Sequence, residues 1–269
     1  MGGERISCFV VAYNRAKLLR ACLIRARFAE ELIVIDKSST DETPAVAKEF
    51  ADKYERVPWS AIAEDNRHYA ESLCSHEWIV FLDDDEVLSP DAGRYLRAAV
   101  ASDAADVYSF PIRHHFFGRW EEHFQPEWRP ILYRKGALDH SRKVHTPPKV
   151  FGRHIASVGG QVYIQNLSHE NTASIIEKLN RYTTRTVEER GADLPPLRGD
   201  LIEFARDVVE TRIRQYGAIC SSEFFQAVLL IYMINDLITG LKAWEVGQPD
   251  GHALFDEICR KVEAEYRQS

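Results

Sequence analysis

Over the first 112 residues, unbroken apolar runs alternate with segments whose apolar positions recur every three or four residues. Ile6-Ser7-Cys8-Phe9-Val10-Val11, Leu32-Ile33-Val34-Ile35 and Trp78-Ile79-Val80-Phe81-Leu82 are apolar at nearly every position, as strands covered on both faces are. Between the first two, Leu18, Leu19, Cys22, Leu23 and Ala26 mark a helix over 15–27. Thr43-Pro44 supplies an N-cap and a first-turn proline for a helix to Tyr54. Residues 66–73 form a third helix, Ser89-Pro90 starts a fourth that runs to Val100, and Val107 to Ile112 is again a strand. This alternation predicts an α/β protein with a mostly parallel sheet flanked by helices.

The pattern changes after Ile112. Residues 113–165 hold short strand candidates, 131–133 and 162–164, among aromatics, glycine and proline. From Ala173 the periodicity is helical, at about 173–190, 199–216, 221–243 and 252–267, with breaks at Pro195-Pro196 and Pro249-Asp250-Gly251. The expected organisation is a domain over 1–170, with halves 1–112 and 113–170, and a helical appendage over 171–269. Phe224, Phe225 and the run Val228 to Ile234 cover more than one helical face. Such a helix is expected to be buried, in the appendage with a homodimer contact or at a peripheral membrane edge. Its longest unbroken apolar run, Ala227 to Ile234, is far short of the roughly 18 residues of a membrane span. Met1-Gly2-Gly3-Glu4-Arg5 carries no apolar signal core, so no targeting segment is expected.

Composition narrows the class. The 269 residues are 45% hydrophobic and 28% charged, which excludes a disordered or collagenous chain. Cys8, Cys22, Cys74, Cys220 and Cys259 are scattered without C-x-x-C spacing, so neither a disulfide framework nor a cysteine zinc site is indicated, and a reducing cytoplasm fits. A net charge of −7 argues against nucleic acid as a partner. One segment departs from this balance: Arg113 to His154 holds nine Lys/Arg against four acids, a surplus of five, and six of the ten histidines. It suits a small anion such as a phosphate, or is a solvated loop balanced by acids elsewhere.

In open α/β sheets ligands bind beyond the carboxyl ends of the strands. Polar clusters follow three strands: Ala12-Tyr13-Asn14-Arg15, then Asp36-Lys37-Ser38-Ser39-Thr40-Asp41, then Asp83-Asp84-Asp85-Glu86. They would converge on one edge, although the same residue types also build plain turns. The four carboxylates in a row repel one another and call for a cation. Strand alternation points Asp83 and Asp85 the same way, which suits Mg2+ or Mn2+. The alternative is an acidic solvated turn ahead of the Ser89-Pro90 helix.

Val11-Ala12-Tyr13-Asn14-Arg15, Val34-Ile35-Asp36 with Ser38-Ser39-Thr40-Asp41-Glu42-Thr43, and Leu82-Asp83-Asp84-Asp85-Glu86 together resemble the family 2 inverting glycosyltransferases. The nearest branch in this resemblance acts in bacterial lipopolysaccharide-core assembly. The likeness continues more weakly through Arg129-Pro130-Ile131-Leu132-Tyr133-Arg134, Val144-His145, His169 and Lys178 to Tyr182. It implies a GT-A (Rossmann-like) fold and a nucleoside-diphosphate sugar donor, UDP-linked above others, with a glycan or lipid-linked acceptor. Ala12, Tyr13 and Asn14 would line the nucleotide slot, Asp36 would meet base or ribose, and Arg67 ribose or diphosphate. Arg15, Asp84 and Arg129 join the expected substrate-binding set. Asp83-Asp84-Asp85 matches a DXD motif, with Asp85 the direct metal ligand and Asp83 on ribose or a metal-bound water. His169 matches an extra metal ligand, or is a hydrogen-bonded loop histidine.

The acceptor's proton needs a base on the far side of the sugar. In the resembling branch Glu usually follows Val-His, but here Thr146 follows Val144-His145. Glu127, between Pro126 and Trp128, is expected to serve, shielded by Trp128, with His145 the alternative. Glu127 could equally pair with Arg129 or Arg134 as a structural ion pair. Two rivals remain at this level. Asp83-x-Asp85-x-Val87 also fits a phosphohydrolase of the haloacid dehalogenase type, and the missing Glu leaves room for a non-catalytic nucleotide-sugar-binding protein.

Overall fold

The computed structural model describes residues 4–120, 127–141, 146–156, 162–190, 200–217 and 222–268. Of the residues named above, Met1, Gly2, Gly3, Pro126, Val144, His145, Pro195, Pro196 and Cys220 lie outside the described residues. The chain divides into two compact units, Met1–Lys178 and Leu179–Ser269.

The first unit is built on a mixed nine-stranded sheet. β1 (Ile6–Ala12) is buried at all seven positions, and β2 (Glu31–Asp36) and β4 (Trp78–Asp83) flank it in parallel. α1 (Ala16–Ala26) buries Leu19, Cys22, Leu23 and Ala26 at helical spacing. α2 (Thr43–Phe50) carries its proline in the first turn. The helix expected to reach Tyr54 stops sooner: Ala51 is extended, and β3 (Lys53–Arg56) pairs in parallel with β2 as the edge strand. Lys53-Tyr54-Glu55-Arg56 is three charged residues around one aromatic, so the short edge strand has no apolar signature of its own. Asp41 Oδ1 accepts from Thr43 N at 2.9 Å, so the capping oxygen comes from Asp41 and not from Thr43. α3 (Glu64–Ser72) brings Arg67 to the β4 end, and α4 (Ala92–Ser102) follows the short β5 (Glu86–Leu88). Gly93 lets α4 approach α1's end: a Cβ there would lie 2.5 Å from Phe28 Cβ.

Beyond Ala105 the sheet turns mixed. β6 (Val107–Phe116) and β7 (Glu127–Arg134) form an antiparallel pair, and β7 joins β4. β8 (Leu138–Asp139) and β9 (Lys149–Val150) make a separate small ladder. β10 (His154–Ala156) and β11 (Ile164–His169) both run parallel to β6, and β11 pairs antiparallel with β5. β5 escaped the sequence reading because its three residues lie within a continuous polar-to-apolar run. It matters, since it ties the acidic turn to β11: Leu167 N donates to Asp85 O at 2.9 Å.

The second unit is helical: the end of α5 (Thr172–Arg190), α6 (Leu201–Tyr216), α7 (Glu223–Glu245) and α8 (Gly251–Gln268). Arg212 on α6 bonds Asp236 on α7 at 2.6 Å, and Tyr216 stacks on Tyr232 at 6.2 Å. Lys242 Nζ donates to Asn180 O, Thr183 Oγ1 and Thr184 Oγ1 on α5. α7 is not buried all round, contrary to the sequence expectation: Leu230 and Leu241 stay more than half exposed. Judged over a window and not by its unbroken run, α7 is also long and apolar enough to cross a membrane by length and composition, with a mean hydropathy of 1.6. A third of that window is buried within the protein.

Candidate active site

The three strand-end clusters do converge, through a hydrogen-bonded lattice of loops. Tyr13 N donates to Asp84 Oδ2 at 2.9 Å, Asn14 N to Ser39 Oγ at 3.0 Å and Arg15 N to Thr43 Oγ1 at 3.0 Å. Asn14 Oδ1 accepts from Thr40 N at 2.7 Å. Asn14 and Ser38 both have positive φ, 49° and 62°, a strained conformation for residues with a Cβ that these contacts over-determine. Ala12 is the buried last residue of β1 and presents backbone to this loop.

Asp36 is fully buried, and both its oxygens are engaged: Oδ1 accepts from Ser39 N at 2.9 Å and Oδ2 from the Tyr54 hydroxyl at 2.8 Å. Burial and this carboxylate push the Tyr54 hydroxyl up to about 12. Asp36 therefore braces the loop that carries Lys37 to Ser39. The side chains that reach the surface here are Tyr13 and Trp59, edge to face at 6.4 Å, with Trp59 half exposed. Lys37 Nζ lies 5.8 Å from the Tyr13 ring and donates to Ser60 O.

The acidic run is arranged differently from strand alternation. β4 ends at Asp83 and the chain turns at 84–85, so Asp83 and Asp85 do not face one point. Asp83 pairs with Arg67 at 3.0 Å and Arg129 at 3.2 Å, and Arg129 also holds Glu86. Both guanidiniums lie over the Phe81 ring, at 5.2 and 4.7 Å. Asp84 and Asp85 instead converge on Arg15 Nη1, and Asn166 Nδ2 donates to Asp85 Oδ1 at 3.3 Å. The four carboxylates thus meet three guanidiniums, which supply most of the cation the sequence seemed to lack. Burial alone would raise Asp83, but Arg67 and Arg129 hold it well below the usual carboxylate range. Burial prevails at Asp84, pushed up to about 6, and at Glu86, pushed up to about 8. Glu86 Oε1 is buried without a partner.

A cavity of about 510 Å³ opens at the start of α1, lined among others by Arg15, Lys17, Asp41, His115, Leu167 and His169. Burial holds His169 down near 3, hence neutral, with its ring stacked on Phe116 at 4.3 Å and Nδ1 2.8 Å from Ser168 Oγ. Among the described residues no group of three or more His, Cys, Asp or Glu gathers to hold a metal ion. What the site does offer is the Asp84–Asp85 pair, two hard oxygen donors already converging on one cationic nitrogen.

The base candidates fare unevenly. Glu127 is not shielded: its side chain is 67% exposed, and Trp128 is 42% exposed. Among the described residues it pairs not with Arg129 or Arg134 but with His114, whose Nε2 lies 3.1 Å from Glu127 Oε2. The basic segment is also largely committed internally. Arg113 lies between the Trp120 and Tyr163 rings, Arg134 pairs with Glu77 and Asp103, and Arg153 with Asp103 and Asp106. The sequence reading passed over Tyr54, Trp59, His114, His115 and Asn166. Only the alternating polar positions of β11 could have pointed to Asn166.

The sheet order, with paired carboxylates and arginines beyond the ends of its parallel strands, fits the GT-A fold that the sequence resemblance implies. The family model for glycosyl transferase family 2 matches residues 7–157, more than half of the chain, and the chain belongs to that family. An uncharacterized glycosyltransferase of Rickettsia felis is 35% identical over 106 residues, 39% of this chain and 37% of the relative. Another, from Rickettsia typhi, is 26% identical over 200 residues, 71% of this chain and 68% of the relative. The matches to the Rickettsia felis and Rickettsia conorii proteins each span 37% of the relative's length. Among solved structures, S. aureus TarS 1-349 in complex with UDP-GlcNAc gives a TM-score of 0.49 at 13% identity, over 90% of both chains. Mannosyltransferase PcManGT from Pyrobaculum calidifontis, in complex with GDP-Man and Mn2+, gives 0.47 at 12% identity, over 90% and 88% of the two chains. The phosphohydrolase reading falls on this membership, and also on geometry: Asp83, its nucleophile, is held by two arginines.

Proposed function

We propose that the chain transfers a sugar from a nucleoside diphosphate sugar, UDP-linked above others, to a hydroxyl of a glycan or lipid-linked acceptor with inversion. The setting is bacterial glycan or lipopolysaccharide assembly at the cytoplasmic face of the membrane. The observation that carries this reading is the convergence of Asp84 and Asp85 on Arg15 beside a cavity lined by Lys17, His115 and His169. Tyr13 and Trp59 offer aromatic faces on which a nucleobase stacks, with the loop braced from beneath by Asp36. Asp85, with Asp84, would hold Mn2+ or Mg2+, which supplies positive charge to the departing diphosphate. Arg15 and Lys17 at the cavity wall add fixed positive charge on the same side. Arg67 and Arg129 act by keeping Asp83 and Glu86 in place.

A thermal-shift and calorimetric panel of UDP-, GDP-, ADP- and dTDP-sugars in Mn2+ tests the reading. Stabilisation by one nucleotide class, lost in EDTA, is expected. No binding by any of them would refute the donor assignment, and turnover of p-nitrophenyl phosphate would point back to a hydrolase.

A further inference from the structure

A row of polar side chains crosses three neighbouring strands on the face that carries the acidic turn. Asn166 on β11 reaches Asp85, and His114 on β6 stands in register opposite Asn166. Glu127 on β7 stands opposite Ile112, two residues before His114, so alternation places it on the face of His114. The 3.1 Å contact between Glu127 Oε2 and His114 Nε2 closes the row. In the neutral imidazole, Nε2 donating to the Glu127 carboxylate leaves the lone pair on Nδ1. Nδ1 makes no hydrogen bond among the described residues, and the His114 side chain is 30% exposed. The charged and titratable groups around it are Glu127 on β7, Arg113 and His115 on its own strand, and His169 on β11.

We infer that His114 Nδ1 takes the proton of the acceptor hydroxyl and that Glu127 is the positioning residue that fixes its tautomer. This rests on the glycosyl-transfer reading above. In the step, the acceptor oxygen bonds to the anomeric carbon while the bond from that carbon to the phosphate oxygen breaks. The electron pair leaves with the nucleoside diphosphate, and the acceptor's proton passes to Nδ1. The imidazole goes from neutral to cationic, and the Glu127 carboxylate offsets that charge. The arrangement explains how an exposed glutamate serves without an apolar shield: it acts through the histidine it orients.

With the acceptor unidentified, water stands in for it: the full chain is incubated with UDP-GlcNAc and Mn2+, and UDP release is followed beside UDP-GlcNAc affinity. His114→Ala and His114→Asn are expected to slow release by about 10²-fold or more while the donor Kd stays within about twofold. Added imidazole is expected to restore part of the His114→Ala rate. Glu127→Gln is expected to lower the rate by about 10-fold at unchanged Kd and Tm, with Glu127→Asp recovering most of it. Native-like release by both His114 variants, or loss of rate only in step with loss of folded protein, overturns the inference and leaves the donor reading intact. Binding without any UDP release by the native chain also overturns it, because a base in place would activate water. No binding at all removes the donor reading, and the inference with it.

Discussion

At the ends of β1, β2 and β4 the acids are held from several sides, whereas across β6 and β7 the chemistry-bearing groups stand at the surface. Asp36 accepts from Ser39 and Tyr54, Asp84 and Asp85 share Arg15, and Asp83 and Glu86 share Arg129. Glu127 and His114, by contrast, are 67% and 30% exposed. The difference fits the two tasks proposed for these regions. Binding a charged nucleotide rewards a site whose dipoles and charges are set beforehand. Receiving a hydroxyl acceptor requires that its base stay reachable.

The largest expected effect comes from removing the acid that both Arg15 and Asn166 hold. Asp85→Ala should lower transfer by about 10³-fold and abolish the EDTA-sensitive part of nucleotide affinity, with a native circular dichroism spectrum. Equal affinity in Mn2+ and in EDTA for the unaltered chain would erase the distinction drawn for this half of the site.

Next comes the buried brace. Arg129→Ala leaves Asp83 and Glu86 buried with a partner missing, which should cost about 3–5 kcal/mol in urea unfolding. Adding Glu86→Gln should return part of that loss. If Arg129→Ala weakened donor binding without changing stability, Arg129 would belong with the ligand contacts and not with the frame.

Acid should find the same frame. His140 is 2% exposed, packed against Phe81 and Tyr133, and burial holds it near 3 in the folded chain against 6.5 unfolded. Below 6.5 the unfolded state binds a proton that the native state refuses, so this contribution is complete above that pH and falls as the pH drops toward 3. The slope is at most about 1.4 kcal/mol per pH unit. His140→Gln should flatten the stability profile between pH 6 and 4, read by urea titrations. A parallel decline in the native chain and His140→Gln would remove His140 as the source.

The smallest effect concerns the second unit. Leu230→Lys and Leu241→Lys alter exposed positions on α7 and should change stability by less than about 0.5 kcal/mol. Sedimentation velocity then tests the proposed homodimer. A native chain that stays monomeric at every concentration removes it, and one that loses self-association on substitution supports it.

Much of the region over residues 1–112 was legible in the sequence. Unbroken apolar runs can only be covered strands, so β1, β2 and β4 were readable, and with them the positions of Tyr13, Asp36 and Asp83 at their ends. The lapses share a cause. β3 and β5 are short strands whose existence depends on the neighbour they pair with. The expected common direction of Asp83 and Asp85 assumed extended backbone through a segment that turns. The Trp128 shield over Glu127 assumed that neighbours in sequence cover one another, yet adjacent strand residues point to opposite faces.

The sequence by itself determined the α/β frame, the family and the gathering of acids at one edge, because these follow from periodicity and from the order of motifs along the chain. Only the tertiary structure decided which charge answers which. Arg15, Arg67 and Arg129 come from a loop, a helix and a distant strand, and His114 meets Glu127 only because β6 and β7 pair in one register. Side-chain partnership across strands depends on that register and on where each turn falls, and both are set by burying the whole core at once.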